Sequence, residues 1–79
     1  MKQCIIVVFD TPTYANSLED IDSIQTSQIK EICDFDDRWE VFNKYLKDEY
    51  QELSLCRDGD GLVYDDFNQS EVYGLMLVR

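Results

Sequence analysis

Histidine is absent from this 79-residue sequence, proline occurs once, and the only glycines are Gly59, Gly61 and Gly74. Without histidine, neither a Ser-His nor a Cys-His nucleophile pair can be built. Glycines at these three positions alone form no glycine-rich phosphate-binding loop. These absences predict a protein that is not an enzyme and that binds no cofactor.

Basic residues are also scarce, since seven lysines and arginines stand against seventeen aspartates and glutamates, a formal net charge of −10. Phosphate backbones and anionic membrane surfaces are bound through lysine and arginine. The charge therefore disfavours direct binding of nucleic acid and of membranes. It favours attraction to a basic surface, including the nucleic-acid-binding surface of another protein.

Long apolar runs are missing, because none approaches the roughly 20 residues that span a membrane. Residues Met1 to Asp10 lack the basic, then apolar, then small-residue layout of a signal peptide. Cys4, Cys33 and Cys56 are odd in number and too widely spaced for a disulfide framework or a zinc site. The sequence therefore predicts free buried thiols in a soluble, cytoplasmic chain.

The residues that are present suit a packed fold. Apolar residues make up 44% of the chain, and a chain of this size hides roughly 60% of its surface on folding. The runs from Lys2 to Phe9 and from Glu71 to Val78 are continuously apolar, which is typical of strands covered on both faces. The sequence predicts a single α+β domain over residues 1–79. Its sheet should have about four mainly antiparallel strands, with the N- and C-terminal strands interior and one or two helices packed on it.

Two helical segments are predicted between these strands. Ser17 followed by Asp20 is typical of a helix start. Four apolar residues then fall near one helical face, which predicts a helix or a pair of short helices: Leu18, Ile21, Ile29 and Ile32. Six apolar residues form a clearer stripe, which predicts a helix from about 37 to 51: Phe35, Trp39, Phe42, Leu46, Tyr50 and Leu53.

The stretch "CRDGDGLVYDDF", from Cys56 to Phe67, raises the question of a metal site. With Gly61 at position 6 of a calcium loop, Asp58 and Asp60 occupy ligand positions 3 and 5. Cys56 and Phe67 then stand at positions 1 and 12, where the loop needs carboxylates. A small divalent-metal-binding or metal-dependent protein that uses Asp58 and Asp60 remains an alternative function.

Two short stretches resemble enzyme motifs. Asp58-Gly-Asp60-Gly resembles the DxDG signature of haloacid-dehalogenase-like phosphotransferases, which implies a nucleophile at Asp58 and a general acid/base at Asp60. Only 19 residues follow Asp60, and none is the lysine that this family needs. "CIIVVFD" resembles the first strand of ferredoxin-like CRISPR spacer-acquisition nucleases, which implies a metal site at Asp10. The acidic remainder of the chain does not suit a protein that grips DNA, so a turn role for Asp10 is favoured.

The Asp58–Gly59 pair between apolar runs is typical of a β-hairpin, because a type I′ turn needs positive φ at both central residues. A two-residue loop at this pair would place Arg57 opposite Asp60 and Leu55 opposite Leu62. Opposite charges then meet beside the turn, and apolar side chains meet beyond it. The sequence therefore predicts a hairpin instead of an active site.

The acidic residues not yet assigned a role lie on the outer face of the second predicted helix and in the loop after the hairpin. Carboxylates there could pair with arginine and lysine of a partner, and Tyr45 could serve as an exposed aromatic anchor. The predicted partner-binding residues are Asp36, Asp37, Glu40, Tyr45, Asp48, Glu49, Glu52, Asp65 and Asp66.

In size, charge and compactness the chain resembles small acidic phage-encoded proteins that disable host machinery, including anti-CRISPR and anti-restriction inhibitors that imitate DNA. The resemblance implies a non-enzymatic inhibitor in the host cytoplasm. Such a protein would occlude, or lock in one conformation, a nucleic-acid-binding host protein. A structural subunit of a larger complex is a further alternative.

Overall fold

The computed structural model describes residues 2–79. One antiparallel sheet contains five strands in the order β2-β1-β5-β4-β3. Its strands are β1 (Gln3–Tyr14), β2 (Ile29–Asp34), β3 (Leu55–Arg57), β4 (Leu62–Asp65) and β5 (Glu71–Val78). The α-helix is α1 (Arg38–Tyr45), and single 3-10 turns cover Leu18–Asp20, Thr26–Gln28, Phe35–Asp37 and Asp48–Tyr50. The α+β class and the interior terminal strands are confirmed, with five strands where about four were predicted.

Both faces of the sheet are covered, as the apolar runs of β1 and β5 predict. On one face, which we call the helical face, α1 packs over side chains that include Cys4, Ile6 and Met76. On the other face, Val7 and Leu75 pack with residues of the segment between β1 and β2. Alternating side chains of β1 and β5 thus enter two separate cores, which explains why neither strand alternates apolar with polar residues.

The helix is shorter than its apolar stripe predicts. It ends at Tyr45, and Leu46 turns to an extended conformation at φ −73° and ψ 136°. Gln51 Nε2 donates to the carbonyls of Asn43 and Leu46, each at 3.1 Å, and so satisfies groups that the end of the helix leaves open. The stripe nevertheless packs into one core, because the turn Asp48–Tyr50 resumes helical geometry.

The prediction of helix through residues 29 to 32 is wrong, because β2 occupies this segment. Ile32 pairs with Ile5, and Ile29 pairs with Val7 across a β-bulge. The bulge inserts one extra residue and so places two isoleucines three positions apart on the same sheet face. That spacing is also the spacing of a helical face, which explains why the sequence pattern pointed to a helix.

The predicted helix start at Ser17 yields only one 3-10 turn. Asp20 Oδ2 accepts hydrogen bonds from the backbone N–H groups of Asn16 at 2.8 Å and Ser17 at 3.3 Å. Ile21 then adopts an extended conformation. This turn lies in the segment that covers the sheet face opposite α1, where Leu18 and Ile21 contact the second core.

The hairpin is confirmed between β3 and β4, but its predicted register is wrong. Arg57 pairs with Val63, and the connecting residues 58–61 form a longer loop than the predicted two residues. The loop contains Gly61 at φ +98°, and a Cβ at this position would lie 2.4 Å from the Met76 carbonyl oxygen. Since the Met76 N–H donates to the Gly61 carbonyl at 2.8 Å, contact with β5 fixes the loop.

Replacing Asp58 by alanine is expected to lower the free energy of unfolding by about 2 kcal/mol. Asp58 Oδ1 accepts from the backbone N–H groups of Asp60 and Leu62, each at 2.9 Å, and alanine leaves both donors without this acceptor. Urea denaturation would measure the change. Asp60→Ala is the matched control, because the Asp60 side chain is exposed and should change stability by less than about 0.5 kcal/mol. Equal losses in the two variants would contradict the role of the Asp58 carboxylate.

Candidate functional site: an acidic surface

The connection between β2 and β3 crosses the helical face from edge to edge. Because β2 and β3 are the two edge strands, residues 35–54 span four strand spacings, about 19 Å. Phe42 and Leu46, on the inner side of the connection, are buried against the sheet. The outer side chains of the connection therefore form a surface about as wide as the sheet.

Seven of the nine predicted partner-binding residues are exposed on this connection or at its end: Asp36, Asp37, Glu40, Asp48, Glu49, Glu52 and Asp66. The Asp66 N–H donates to the Ser54 carbonyl at 2.8 Å, which places Asp66 where the connection meets β3. We call these seven residues the acidic band. Their role in binding a partner remains a prediction.

Three cations close to the connection lie near one aromatic ring and not against the band. The Phe35 ring has the Arg38 guanidinium at 3.8 Å from its centroid, the Lys2 ammonium at 5.4 Å and the Arg57 guanidinium at 5.7 Å. Arg38 Nη1 also donates to the Phe35 carbonyl at 2.8 Å. Within residues 2–79 none of these cations forms an ion pair, so they do not neutralise the band directly.

Tyr45 is half-buried and does not form the exposed anchor that the sequence predicts. Its hydroxyl donates to Glu31 Oε1 at 2.7 Å, and Lys44 Nζ lies 3.4 Å from the same oxygen. The Tyr45 hydrogen bond is the main cause that lowers the pKa of Glu31 below its usual 4.5, and it raises the pKa of Tyr45 above its usual 10. These contacts join α1 to β2.

Asp65 is buried and stands apart from the acidic band. Its side chain is 9% exposed, and its Oδ1 accepts from the Phe67 N–H at 3.3 Å. Its backbone carbonyl accepts from the Asn68 N–H at 3.2 Å. Asp65 therefore shapes the turn after β4, and of the Asp65–Asp66 pair only Asp66 faces solvent.

Phe67 is an exposed residue that the sequence did not predict as part of the surface. Its side chain is 88% exposed and follows Asp66 directly. The sequence feature that indicates its exposure is its position in a polar loop, after two aspartates and before Asn68. An exposed aromatic residue beside a carboxylate provides the kind of contact that was assigned to Tyr45.

Asp58 is engaged as a turn acceptor, as the hydrogen bonds to its Oδ1 show. Over residues 2–79, no group of three or more histidine, cysteine, aspartate or glutamate side chains is placed to hold a metal ion. The described part of the chain also contains no helix with the length and apolar character needed to cross a membrane.

Comparisons with known proteins assign the chain to no family. No family model matches it, and neither the curated proteins nor the solved structures include a match. The candidate site is therefore defined by the geometry and charge of this chain.

Proposed function

We propose that the chain is a non-enzymatic acidic inhibitor that binds the basic surface of a nucleic-acid-handling protein through the acidic band. This proposal places it with inhibitors of the anti-CRISPR or anti-restriction type, encoded by a phage or another mobile element. The observation that carries the proposal is the exposure of six carboxylates along one sheet-wide connection and of a seventh, Asp66, at its end. Within the described residues, none of the seven forms an ion pair.

The charge spacing of the band is comparable to that of a nucleic-acid strand. Seven carboxylates over about 19 Å give one negative charge per roughly 2.7 Å. The connection also carries Arg38, Lys44 and Lys47, which reduce the net charge to −4, or one per roughly 4.8 Å. DNA carries one charge per about 3.4 Å of axis on each strand and one per about 1.7 Å on both. The carboxylates alone therefore match the charge density of a DNA strand, and a basic groove would meet a net density of the same order.

The surface also offers contacts to individual basic side chains. A depression at the β2 end of the connection is lined by Asp34, Asp36 and Asp37, with Phe35 and Lys2 beside them, so three carboxylates face one cation there. Carboxylates in this arrangement suit an arginine or lysine of a partner. Phe67, next to Asp66 at the other end, supplies an aromatic contact. Inhibition would be stoichiometric, through occlusion of the nucleic-acid channel or through locking of one conformation.

The test is displacement of labelled duplex DNA from purified restriction and CRISPR effector nucleases, followed by fluorescence anisotropy. We expect release of DNA at stoichiometric concentrations of the chain. Apparent affinity should fall steeply between low and high salt, because the Debye length shortens from about 30 Å at 0.01 M to about 3 Å at 1 M. Affinity that does not change with salt would contradict an electrostatic surface.

A matched pair of charge variants separates the band from the total charge. The variant Glu40→Gln, Glu49→Gln, Glu52→Gln removes three charges from the band. The control Asp10→Asn, Glu19→Gln, Asp22→Asn removes three exposed charges from outside it. At low salt the band variant should bind about tenfold more weakly than the control. Equal losses would mean that affinity follows net charge and that the band is not the site.

A further inference from the structure

Two of the three cysteines are direct neighbours in the sheet. Cys4 of β1 and Cys33 of β2 are register partners, so their side chains project from the same face. Cys4 is buried in the core under α1, and Cys33 is partly buried against that core. The sequence places these residues 29 positions apart, and only the pairing of β1 with β2 brings them together.

The backbone geometry at this pair permits a disulfide. The Phe35 N–H donates to the Lys2 carbonyl at 3.0 Å. Since hydrogen-bonded and non-hydrogen-bonded pairs alternate along antiparallel strands, the Cys4–Cys33 pair two residues away is hydrogen-bonded. Such a pair has a Cα separation of about 5.5 Å. Disulfides span Cα separations of about 4.4–6.8 Å.

Within the folded chain, Cys56 is too distant to form a disulfide with Cys4 or Cys33. It lies on β3, four strand positions from Cys33 and three from Cys4. These positions correspond to about 19 Å and 14 Å. Cys56 also pairs with Tyr64, which packs in the core on the opposite sheet face. The Cys4–Cys33 disulfide is therefore the single intramolecular disulfide that the three cysteines can form.

We propose that Cys4 and Cys33 form a site of reversible oxidation, at which a low-molecular-weight disulfide such as oxidised glutathione converts the two thiols to one disulfide. The Cys33 thiolate attacks one glutathione sulfur and expels the other glutathione as a thiolate. The Cys4 thiolate then attacks Cys33 Sγ and expels the second glutathione. The protons lost by the two cysteines are taken up by the two glutathione thiolates.

The exposure of the two thiols sets this order of attack. Cys33 lies on an edge strand and is partly exposed, so it can react with glutathione from solution. Cys4 is 0% exposed, so it can attack only Cys33 Sγ, after Cys33 has bonded to glutathione. Burial raises the pKa of both thiols above their usual 9.0. Oxidation should therefore become faster as the solution is made more alkaline, because the thiolate is the nucleophile.

Peptide mapping of the native chain tests the pairing. After treatment with oxidised glutathione at mildly alkaline pH, the intact mass should fall by two hydrogen atoms. Trypsin places each cysteine on its own peptide, in residues 3–30, 31–38 and 48–57. We expect the first two peptides to be joined, and the joined species to disappear on reduction. In the variant Cys56→Ser the same link should form in equal yield.

A stability measurement provides a second readout. The oxidised chain should unfold at a temperature about 10 °C higher than the reduced chain, because the link constrains the unfolded state. The variant Cys33→Ser should show neither the link nor the shift. Recovery of Cys33 only as a glutathione adduct, or linked to Cys33 of a second chain, would overturn the proposal. A link that involves Cys56 would overturn it as well.

Discussion

Substitution of Gly74 by alanine is expected to lower the free energy of unfolding by about 3 kcal/mol, at the upper end of what overpacking costs. A Cβ at this position would lie 2.2 Å from the Val7 carbonyl oxygen and 2.5 Å from Cε2 of Phe42. Neither neighbour can move freely, because Val7 is hydrogen-bonded within the sheet and Phe42 is fully buried. The close packing of α1 on β5 thus depends on a missing side chain. Urea denaturation monitored by circular dichroism would measure the loss.

Gly59→Ala is the matched control for this prediction. Gly59 lies in the loop between β3 and β4, and a Cβ there meets nothing within 4 Å. Its stability should change by less than about 0.5 kcal/mol. If Gly74→Ala were as stable as Gly59→Ala, α1 would not approach the sheet as closely as the structure shows.

Truncation of Phe42 to alanine should cost about 3–5 kcal/mol, the range for large buried aromatic residues. Phe42 is 0% exposed and is the fully buried residue of α1. A 79-residue chain has a total stability of roughly 4–12 kcal/mol, so this loss should leave a substantial fraction of molecules unfolded near body temperature. Thermal unfolding followed by circular dichroism would show the lowered midpoint.

Phe67→Ala removes the same side chain from an exposed position. Phe67 is 88% exposed, so its truncation should change the unfolding midpoint little. The pair Phe42→Ala and Phe67→Ala therefore separates burial from residue type. A similar drop for both variants would contradict the burial of Phe42. Phe67→Ala is also suited to DNA-displacement measurements, because any loss of inhibition would arise in a folded protein.

The substitutions at Gly74 and Phe42 both disrupt the packing of the helical connection on the sheet. The same packing positions the acidic band. Seven like charges on a flexible segment would spread apart, whereas Phe42 and Leu46 fix the connection to the sheet and so fix the spacing of its carboxylates. The stability of this core and the proposed inhibitory surface are therefore two consequences of the same packing.

Patterns that depend on neighbouring residues were predictable from the sequence. The apolar runs of β1 and β5 indicated interior strands because every second residue enters a different core. The stripe from Phe35 to Leu53 indicated one buried face, since those side chains do pack into one cluster. The Asp58–Gly59 pair indicated a hairpin because aspartate followed by glycine favours a reversal of the chain.

Features that depend on distant residues were not predictable. The register of the hairpin depends on β5, through the Gly61 contact with Met76. The assignment of Ile29 and Ile32 to β2 depends on pairing with β1, and the bulge in β2 at Lys30 gives the two isoleucines a helical spacing. The burial of Asp65 follows from its place at the end of β4, where it pairs with Leu55, and no local sequence feature distinguishes it from Asp66.

The sequence by itself determined the excess of acidic charge, the lack of histidine and the apolar segments that must be buried, because these follow from composition and local order. Only the tertiary structure decided which carboxylates share one surface, that Tyr45 binds Glu31, and that Cys4 faces Cys33. Each of these depends on the pairing of strands that are distant in the chain. The physical reason is that a sheet places residues according to strand order and register, and packing of the whole chain selects both.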